Sequence, residues 1–297
     1  MSEQPEVVHT EVGGRRLRLT HLEKVLYPEA GWTKAEAVHY YASVAPRLLP
    51  HLAGRPASFL RFPEGVGGQR FWAKRVPGGA PDWLTTLDVA HREGTFRQVV
   101  VADLPTLVWA ANLGALELHV PQWRGAPEQH DRLVIDLDPG PGTTVVECCA
   151  VALAARRLLA ADGLTAFPKT SGAKGLHLLV PLHPAPGRAA TDYARRLAGQ
   201  LRAAAPGLVV DRMEKSLRRG RILVDWSQNT SAKTTVAPYS LRAGERPLVS
   251  TPVPWTAVES CRHPADLEFT PERVLALPAD PMAALTTPRH LGRLPGP

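Results

Sequence analysis

Cysteine is scarce in this chain. Cys148, Cys149 and Cys261 are the only three, too few for a disulfide framework, and none stands at a zinc-site spacing from a histidine or another cysteine. Cys148 and Cys149 fall in an apolar helical pattern, where a thiol packs as a small hydrophobe. No apolar run reaches the ~20 residues of a membrane span, and the polar N-terminus lacks an apolar signal core. These absences point to a soluble protein of a reducing compartment, cytoplasmic and without a membrane partner. A Gly-x4-Gly-Lys-Ser/Thr loop is missing as well, which excludes the P-loop way of holding a nucleotide.

Proline (29) and glycine (24) are plentiful, as in a chain with many loops and short strands, while 44% apolar and 21% charged residues are ordinary for a globular protein. The formal net charge of +7 favours a polyanionic partner without specifying one. The 297 residues can bury a large core. No internal repeat or flexible linker divides them. Residues 1–18 read as a loose arm or an edge hairpin around Gly13-Gly14, and residues 19–297 as one domain. Within that domain, 131–245 holds the acidic motifs and 246–297 packs around the core.

The chain is organised around Arg132-Leu133-Val134-Ile135-Asp136-Leu137-Asp138-Pro139-Gly140. Its apolar residues form a strand, and Pro-Gly ends it. Asp136 and Asp138 then share one face, about 7 Å apart at the backbone. Neighbouring carboxylates repel, so one stays protonated unless a cation intervenes. Mg²⁺ or Mn²⁺ is the usual partner of paired aspartates in phosphoryl transfer. A solvated Asp-x-Asp at a sheet edge is the plain alternative. Asp225 follows a second apolar run, Ile222–Val224, beside the basic loop Lys215–Arg221 that contains Arg218.

Thr33-Lys34-Ala35-Glu36 and Thr144–Glu147 are capping boxes, opening helices to about Leu52 and Ala161. Val38, Tyr41, Ala45 and Leu48 should face the core from the first. Lys34 in a first helical turn opposes the helix dipole, a placement that suits gripping a phosphate. Short strands are expected over Ala57–Phe62, Phe71–Arg75, Thr86–Ala90 and Phe96–Ala102, with a short helix capped by Asp103. Arg61, Phe62, Phe71, Trp72 and Lys74 interleave cations with aromatics, as on a surface that stacks bases, although core packing fits Phe62 and Phe71 equally. In Ala115–Pro121, alternation turns Leu116, Leu118 and Val120 inward and Glu117 and His119 outward. His119 would reach the acidic site if this strand pairs beside that of Asp136. Lys169–His177 reads as a glycine turn between strands Leu164–Pro168 and Leu176–Pro181, offering Ser171, Lys174 and His177 to a phosphate chain. A tight β-turn is the plainer reading. Arg188–Ala205 reads as an amphipathic helix, with short helices near Pro254–Ser260 and Pro271–Leu277.

Asp-Leu-Asp-Pro-Gly, Ser-Gly-x-Lys-Gly-Leu-His, Asp-Trp-Ser-Gln-Asn and Lys-Thr-Thr-Val-Ala-Pro-Tyr-Ser-Leu-Arg occur here in that order. The series closely resembles the polymerase module of bacterial ligase D, a branch of the archaeo-eukaryotic primase superfamily. The resemblance runs from about Leu19 to Arg242. It implies an α+β primase-like fold, two mixed or antiparallel sheets flanked by helices with the catalytic cleft between them. It also implies a template-dependent nucleotidyltransferase of bacterial non-homologous end joining that fills gaps and extends ends, often favouring ribonucleotides.

The same resemblance assigns residues. Asp136, Asp138 and Asp225 match the family's metal triad, for two ions of Mn²⁺ or Mg²⁺, and Arg218 matches an arginine near the primer end. Ser171, Lys174 and His177 match a triphosphate-binding turn. Gln228, Arg242 and, more weakly, Lys233 match further nucleotide contacts, and His119 a histidine beside the nucleotide sugar. Lys24 and Lys34, with His21 where the family often has Asn, match the pocket for a 5′-phosphate at a gap. Phe71 and Trp72 match an aromatic pair that packs against template bases, a surface to which the interleaved Arg61 and Lys74 are also assigned and where Leu60 replaces a common basic residue. The segment after Trp123 is short. Implied partners are NTPs or dNTPs and gapped or overhanging DNA ends with a 5′-phosphate, together with Ku and a separate DNA ligase. The chain would be monomeric when free, paired across a break, and associated with the nucleoid. It lacks the ligase signature and reads as a stand-alone polymerase or an excised module. A primer-independent primase, a non-catalytic end-bridging module and a two-metal nuclease are the alternatives. The 5′-phosphate lysines disfavour the primase, the three aspartates the bridging module, and the Ser171–His177 turn the nuclease.

Overall fold

The computed structural model describes residues 7–91 and 94–296, with no side-chain description for His91. A hairpin of β1 (Val7–Val12) and β2 (Arg15–Thr20) turns at Gly13-Gly14, both at positive φ. The expected arm is thus an edge hairpin running past Arg18 to Thr20, and its first six residues lie outside the described ones. β3 (Val25–Tyr27) pairs with β4 (Trp32–Thr33), and α1 (Lys34–Leu52) follows at once. Next come β5 (Ser58–Arg61), β6 (Phe71–Ala73), a hairpin of β7 (Thr86–His91) and β8 (Gly94–Val99), α2 (Leu104–Asn112) and β9 (Ala115–Val120).

The second half opens with β10 (Gln129–Pro139) and α3 (Val145–Ala161). β11 (Phe167–Thr170), β12 (Leu176–Pro186), α4 (Gly187–Ala204), β13 (Val209–Val210) and β14 (Ile222–Val224) follow. The chain closes with β15 (Thr235–Val236), β16 (Leu241–Arg242), β17 (Leu248–Val249), α5 (Trp255–Ser260) and α6 (Pro271–Leu275).

Two sheets carry the architecture. The larger is five-stranded in the order β11-β12-β10-β14-β13, antiparallel except for the β13–β14 pair. The other is a four-stranded antiparallel sheet, β15-β9-β5-β6. The expected α+β plan of two sheets with helices outside therefore holds. Alternation along β10 divides its side chains. Leu133, Ile135 and Leu137 join the main core with Cys148, Ala152 and Ala155 of α3 and Leu197 and Leu201 of α4. Val134, on the opposite face, packs with Leu179, Met282 and Leu285.

β10 is central, yet β14 covers only its Leu137–Pro139 end on one side. Upstream, the Asn229 side chain stands in for a strand: its Oδ1 accepts from the Val134 amide at 2.8 Å and its Nδ2 donates to the Val134 carbonyl at 2.7 Å. Both backbone groups are thereby satisfied without a neighbour.

Several expectations shift. β9 pairs with β5 and β15, not with β10. β11 starts later than Leu164 and runs through Thr170, so Lys169 and Thr170 belong to a strand rather than to the turn. Tyr41, Ala45 and Leu48 are buried as expected, while Val38 is half-buried.

Both capping boxes form. At α3, the Glu147 carboxylate accepts from the Thr144 amide at 2.7 Å, and the Thr144 hydroxyl accepts from the Val146 amide at 3.2 Å. Thr144→Ala should therefore cost about 1 kcal/mol of stability, and Thr144→Gly only a few tenths. Urea denaturation of these variants and of Thr144→Ser checks this: serine keeps the hydroxyl and should keep most of the stability, and a serine loss as large as the alanine loss would mean that the hydroxyl is not the source.

Candidate active site

Asp136 and Asp138 stand on one face of β10, at the end where β12 and β14 flank it. His177, the β12 residue paired with Asp136, places Nε2 3.2 Å from Asp136 Oδ1, without the alignment of a hydrogen bond, and that oxygen has no hydrogen-bond partner. One strand further, Lys169 pairs with His177 and is fully buried, its Nζ donating to Ser250 Oγ at 2.5 Å. Asp225 follows β14, with its amide donating to the Asp136 carbonyl at 2.9 Å. Its carboxylate accepts from the Ser227 amide and hydroxyl and from Gln228 Nε2 at 2.9 Å, and Lys233 Nζ lies 3.8 Å away while donating to Ser227 Oγ.

The electrostatics follow from this packing. Burial and then the Asp225 charge raise Asp136 to about 7; burial and then Asp136 raise Asp138 to about 6. Burial, and after it Lys169, holds His177 well below the usual histidine range, so its ring is neutral. The acidic groups thus feel one another across the site. Among the described residues, however, no three His, Cys, Asp or Glu side chains are gathered closely enough to hold an ion as they stand. Asp225 is instead turned to its own loop. The oxygen donors, the unpartnered Asp136 oxygen and the mutual repulsion nevertheless suit a divalent cation.

The turn after β11 packs against these strands. Ser171 Oγ accepts from the Ala173 and Gly175 amides at 3.2 and 3.0 Å, leaving its proton free to donate outward. Gly172 has φ +70°, and a Cβ there would strike Arg242 and the Ser250 amide, so the turn requires glycine.

Facing the acidic strand is the four-stranded sheet. His119 Nε2 lies 2.8 Å from Glu117 Oε2, and the same carboxylate accepts from the Ala243 amide at 3.0 Å and lies 3.4 Å from Arg242 Nη1. Burial alone would raise Glu117, but His119 and Arg242 overcome it and hold the carboxyl below its usual value. Glu117 and His119 were expected to turn outward, away from the core. They share a face as the alternation requires, but that face is the cleft wall, and they are 4% and 8% exposed. His119 reaches the acidic site across the gap between sheets, not along one sheet.

A cavity of about 500 Å³ is lined by His119, Asp136, Asp138, Ser171, Lys174, His177, Arg218, Gln228 and Arg242. Residues from both sheets, the glycine turn and the basic loop therefore meet in one place. Asp225 and Lys233 support it from behind through Gln228 and Ser227. His119 and Arg242 also line a larger hollow of about 1000 Å³ with Trp72, Leu60, Arg70 and Glu245. Trp72 is 55% exposed and meets the His119 ring edge-on at 4.9 Å. Phe71, its strand neighbour, is exposed but does not line that hollow, and Lys74 lines a separate pocket. Sequence reasoning missed Glu117 and Lys169. The alternation that selected His119 also contained Glu117, whereas nothing local marks Lys169 as buried.

The expected phosphate lysines lie elsewhere. Lys24 Nζ donates to the Pro63 carbonyl at 3.1 Å and to Glu64 Oε2 at 2.9 Å. Lys34 is folded inward, 6% exposed, with Nζ on the Thr20 carbonyl at 2.6 Å. Burial, then Lys24, lowers Lys34 to about 8, and Arg61 adds to the repulsion. Arg61 thus belongs to this cationic cluster, its Nε donating to the Leu113 carbonyl at 2.9 Å. His21 has φ +52°, a conformation that His, like Asn, enters more readily than most residues.

Comparison with known proteins places the chain. Residues 33–282 match the LigD primase-polymerase domain. The chain belongs to the LigD primase-polymerase family. It is 46% identical over 247 residues to the multifunctional non-homologous end joining protein LigD of Mycolicibacterium smegmatis, covering 82% of this chain and 32% of that protein. It is 33% identical over 263 residues to the bifunctional LigD of Bacillus subtilis, covering 86% and 42%. The chain therefore spans well under half of these LigD relatives. The polymerase domain of Mycobacterium tuberculosis ligase D, solved in complex with DNA, superposes with a TM-score of 0.84 at 46% identity, covering 88% of this chain and 93% of that one. The LigD polymerase fold is thus the primase-like fold expected, and the reaction class is that of a DNA-directed nucleotidyltransferase using a divalent metal. No helix among the described residues is long and apolar enough to cross a membrane.

Without a divalent metal, Asp136 holds its proton in the folded chain to about pH 7, against 3.8 as its ordinary value. Stability linked to it therefore falls as pH rises from about 4 to 7 and is level above that. Asp136→Asn should raise the melting temperature in chelator more at pH 8 than at pH 5, by roughly 2–4 °C for each kcal/mol relieved. Thermal melts at the two pH values check it; an equal gain at both rejects the assignment.

Proposed function

We propose that this chain adds nucleotides, under template direction, to primer ends at gaps and breaks in bacterial DNA, within non-homologous end joining. The observation that carries the reading is the single cavity where Asp136, Asp138, the Ser171–His177 turn, His119 and Arg242 converge. A bridging module has no use for buried, mutually repelling carboxylates in such a place.

Asp136, Asp138 and Asp225 would hold the divalent cations, two ions of Mn²⁺ or Mg²⁺, which neutralise phosphate charge and activate the primer hydroxyl. The chain's own groups do the rest. Ser171, Lys174 and the neutral His177 donate to the triphosphate, with Arg242 and Gln228 at its flanks. Lys233 orients Asp225 through Ser227. Arg218, whose Nε has no hydrogen-bond partner, meets the primer end. Glu117 anchors His119 and Arg242 together, so the imidazole is fixed where the nucleotide sugar enters and can discriminate a 2′-hydroxyl. Ribonucleotides are the preferred substrates. Trp72 stacks on the template beside His119, with Phe71, Arg61 and Lys74 along its path. Lys24, Lys34 and His21 receive the downstream 5′-phosphate. That anion restores the full charge of Lys34, which burial and Lys24 depress. Ku and a separate ligase are its partners in the nucleoid, and two copies meet across a break.

Extension of a labelled primer over a short gap, with NTPs or dNTPs and with or without a downstream 5′-phosphate, tests the reading. Templated addition is expected, stronger with NTPs and with the phosphate; phosphate-dependent binding without addition in either Mn²⁺ or Mg²⁺ would leave only a bridging module. Asp138→Ala should abolish extension while DNA binding persists in a filter assay. His119→Ala should lower NTP use more than dNTP use, and equal losses would remove the sugar-sensing role. Lys24→Ala with Lys34→Ala should erase the phosphate stimulation; undiminished stimulation would place that pocket elsewhere.

A further inference from the structure

At the other end of β10 from the aspartates lies a cavity of about 270 Å³, walled by His51, Arg55, Arg124, Asp131 and Arg132 on one side and by prolines, leucines and Thr286 on the other. Its charges do not balance. Asp131 is the one carboxylate in the lining, and it is shared: Arg55 Nη2 lies 2.7 Å and Arg124 Nε 2.8 Å from its oxygens. Arg132 reaches only neutral acceptors, Gln122 Oε1 at 2.8 Å and the Pro121 carbonyl at 3.4 Å. Arg55 and Arg132 are only 2% and 3% exposed. Arg55 Nε and His51 Nδ1 have no hydrogen-bond partner, and neither does Asp131 Oδ1, which meets Arg55 only as an ion pair.

A guanidinium cannot shed its proton to escape such a place, and buried charges are ordinarily paired. His51 does not offset the excess. Burial, followed by Arg132, Arg55 and Lys169, lowers it to about 3, so it is neutral. Water could find partners among these side chains, but a neutral molecule leaves the excess positive charge in place. An anion accepting from several guanidinium N–H groups meets the requirement directly. The volume is below the roughly 300–1,000 Å³ of pockets that take a drug-sized ligand, which limits the occupant to something small.

We propose that this cavity binds a small oxyanion of the phosphate class, held by Arg55, Arg124 and Arg132 and separate from the reaction cleft. Inorganic phosphate and pyrophosphate, the co-product of nucleotide addition, share the chemistry. The bound anion joins the end of α1, the β9–β10 connection and the C-terminal segment around Leu285 and Leu291.

The test is calorimetry and thermal melting of the full chain with inorganic phosphate and with pyrophosphate, in chelator, against chloride at matched ionic strength. Saturable binding and a rise in melting temperature are expected, and the tighter ligand names the source. Arg124 is at the rim, its side chain 43% exposed, so Arg124→Ala should fold and weaken binding roughly tenfold or more. Lys174→Ala, in the cleft, should leave that binding unchanged. Arg124→Glu supplies a carboxylate in place of the ligand and should remove the response to phosphate. Absence of saturable binding, or binding lost in Lys174→Ala and retained in Arg124→Ala, overturns the proposal.

Discussion

Two carboxylates buried on one face of a strand lose the water that would stabilise their charge, and each makes the other's ionisation harder. Everything around Asp136 and Asp138 answers that cost. His177 packs neutral against Asp136, Lys169 lies one strand further where burial and then Arg242 push its ammonium well below the usual lysine range, and the β14 end ties Asp225 to the Asp136 backbone. The result is a site whose acidic side is poorly compensated by the protein itself. Such a site has capacity left for cations, which is what phosphoryl transfer on a highly charged substrate demands.

The cationic side comes from somewhere else in the fold. Arg242 is held by Glu117 on the facing sheet, and the glycine turn that carries Lys174 is moulded onto Arg242. Neither sheet forms the cleft alone. Its two walls are linked by the β9–β10 connection and by the return of the chain from β14 to β15, so the spacing between them depends on packing of both sheets against the helices and the C-terminal segment.

Much of this was legible beforehand where it depends on near neighbours in the chain. Alternation put Asp136 with Asp138 and Glu117 with His119, and the capping boxes marked helix starts to within a residue. The ordered motifs pointed to the fold and to most of the cavity lining. What escaped was set by contacts distant in sequence. Glu117 looked merely outward-facing because a polar alternating strand usually has one wet face, and here the opposite sheet covers it. Lys34 looked free at a helix start, but Thr20 of the N-terminal hairpin takes its ammonium. Lys169 sat among turn residues and proved to be a strand residue under Ser250. The arginines around Asp131 come from separate stretches, so no window of sequence could reveal their imbalance.

The amide of Asn229 at Val134 has a wider meaning. β12 sets the register of β10 along one edge, and on the other edge one side chain grips one residue of β10 at both its N–H and its C=O. A slip by a single residue would turn every side chain of β10 to the opposite face. It would drive Asp136 and Asp138 into the helix-packed core and Leu137 into the cleft. The same slip would pull Arg132 from its cavity. A misregistered chain therefore has no partly working form. Proofreading of the fold and assembly of the active site are one event, and the clamp that reinforces the β12 ladder in it is neighbour in sequence to Gln228, a wall of the reaction cavity.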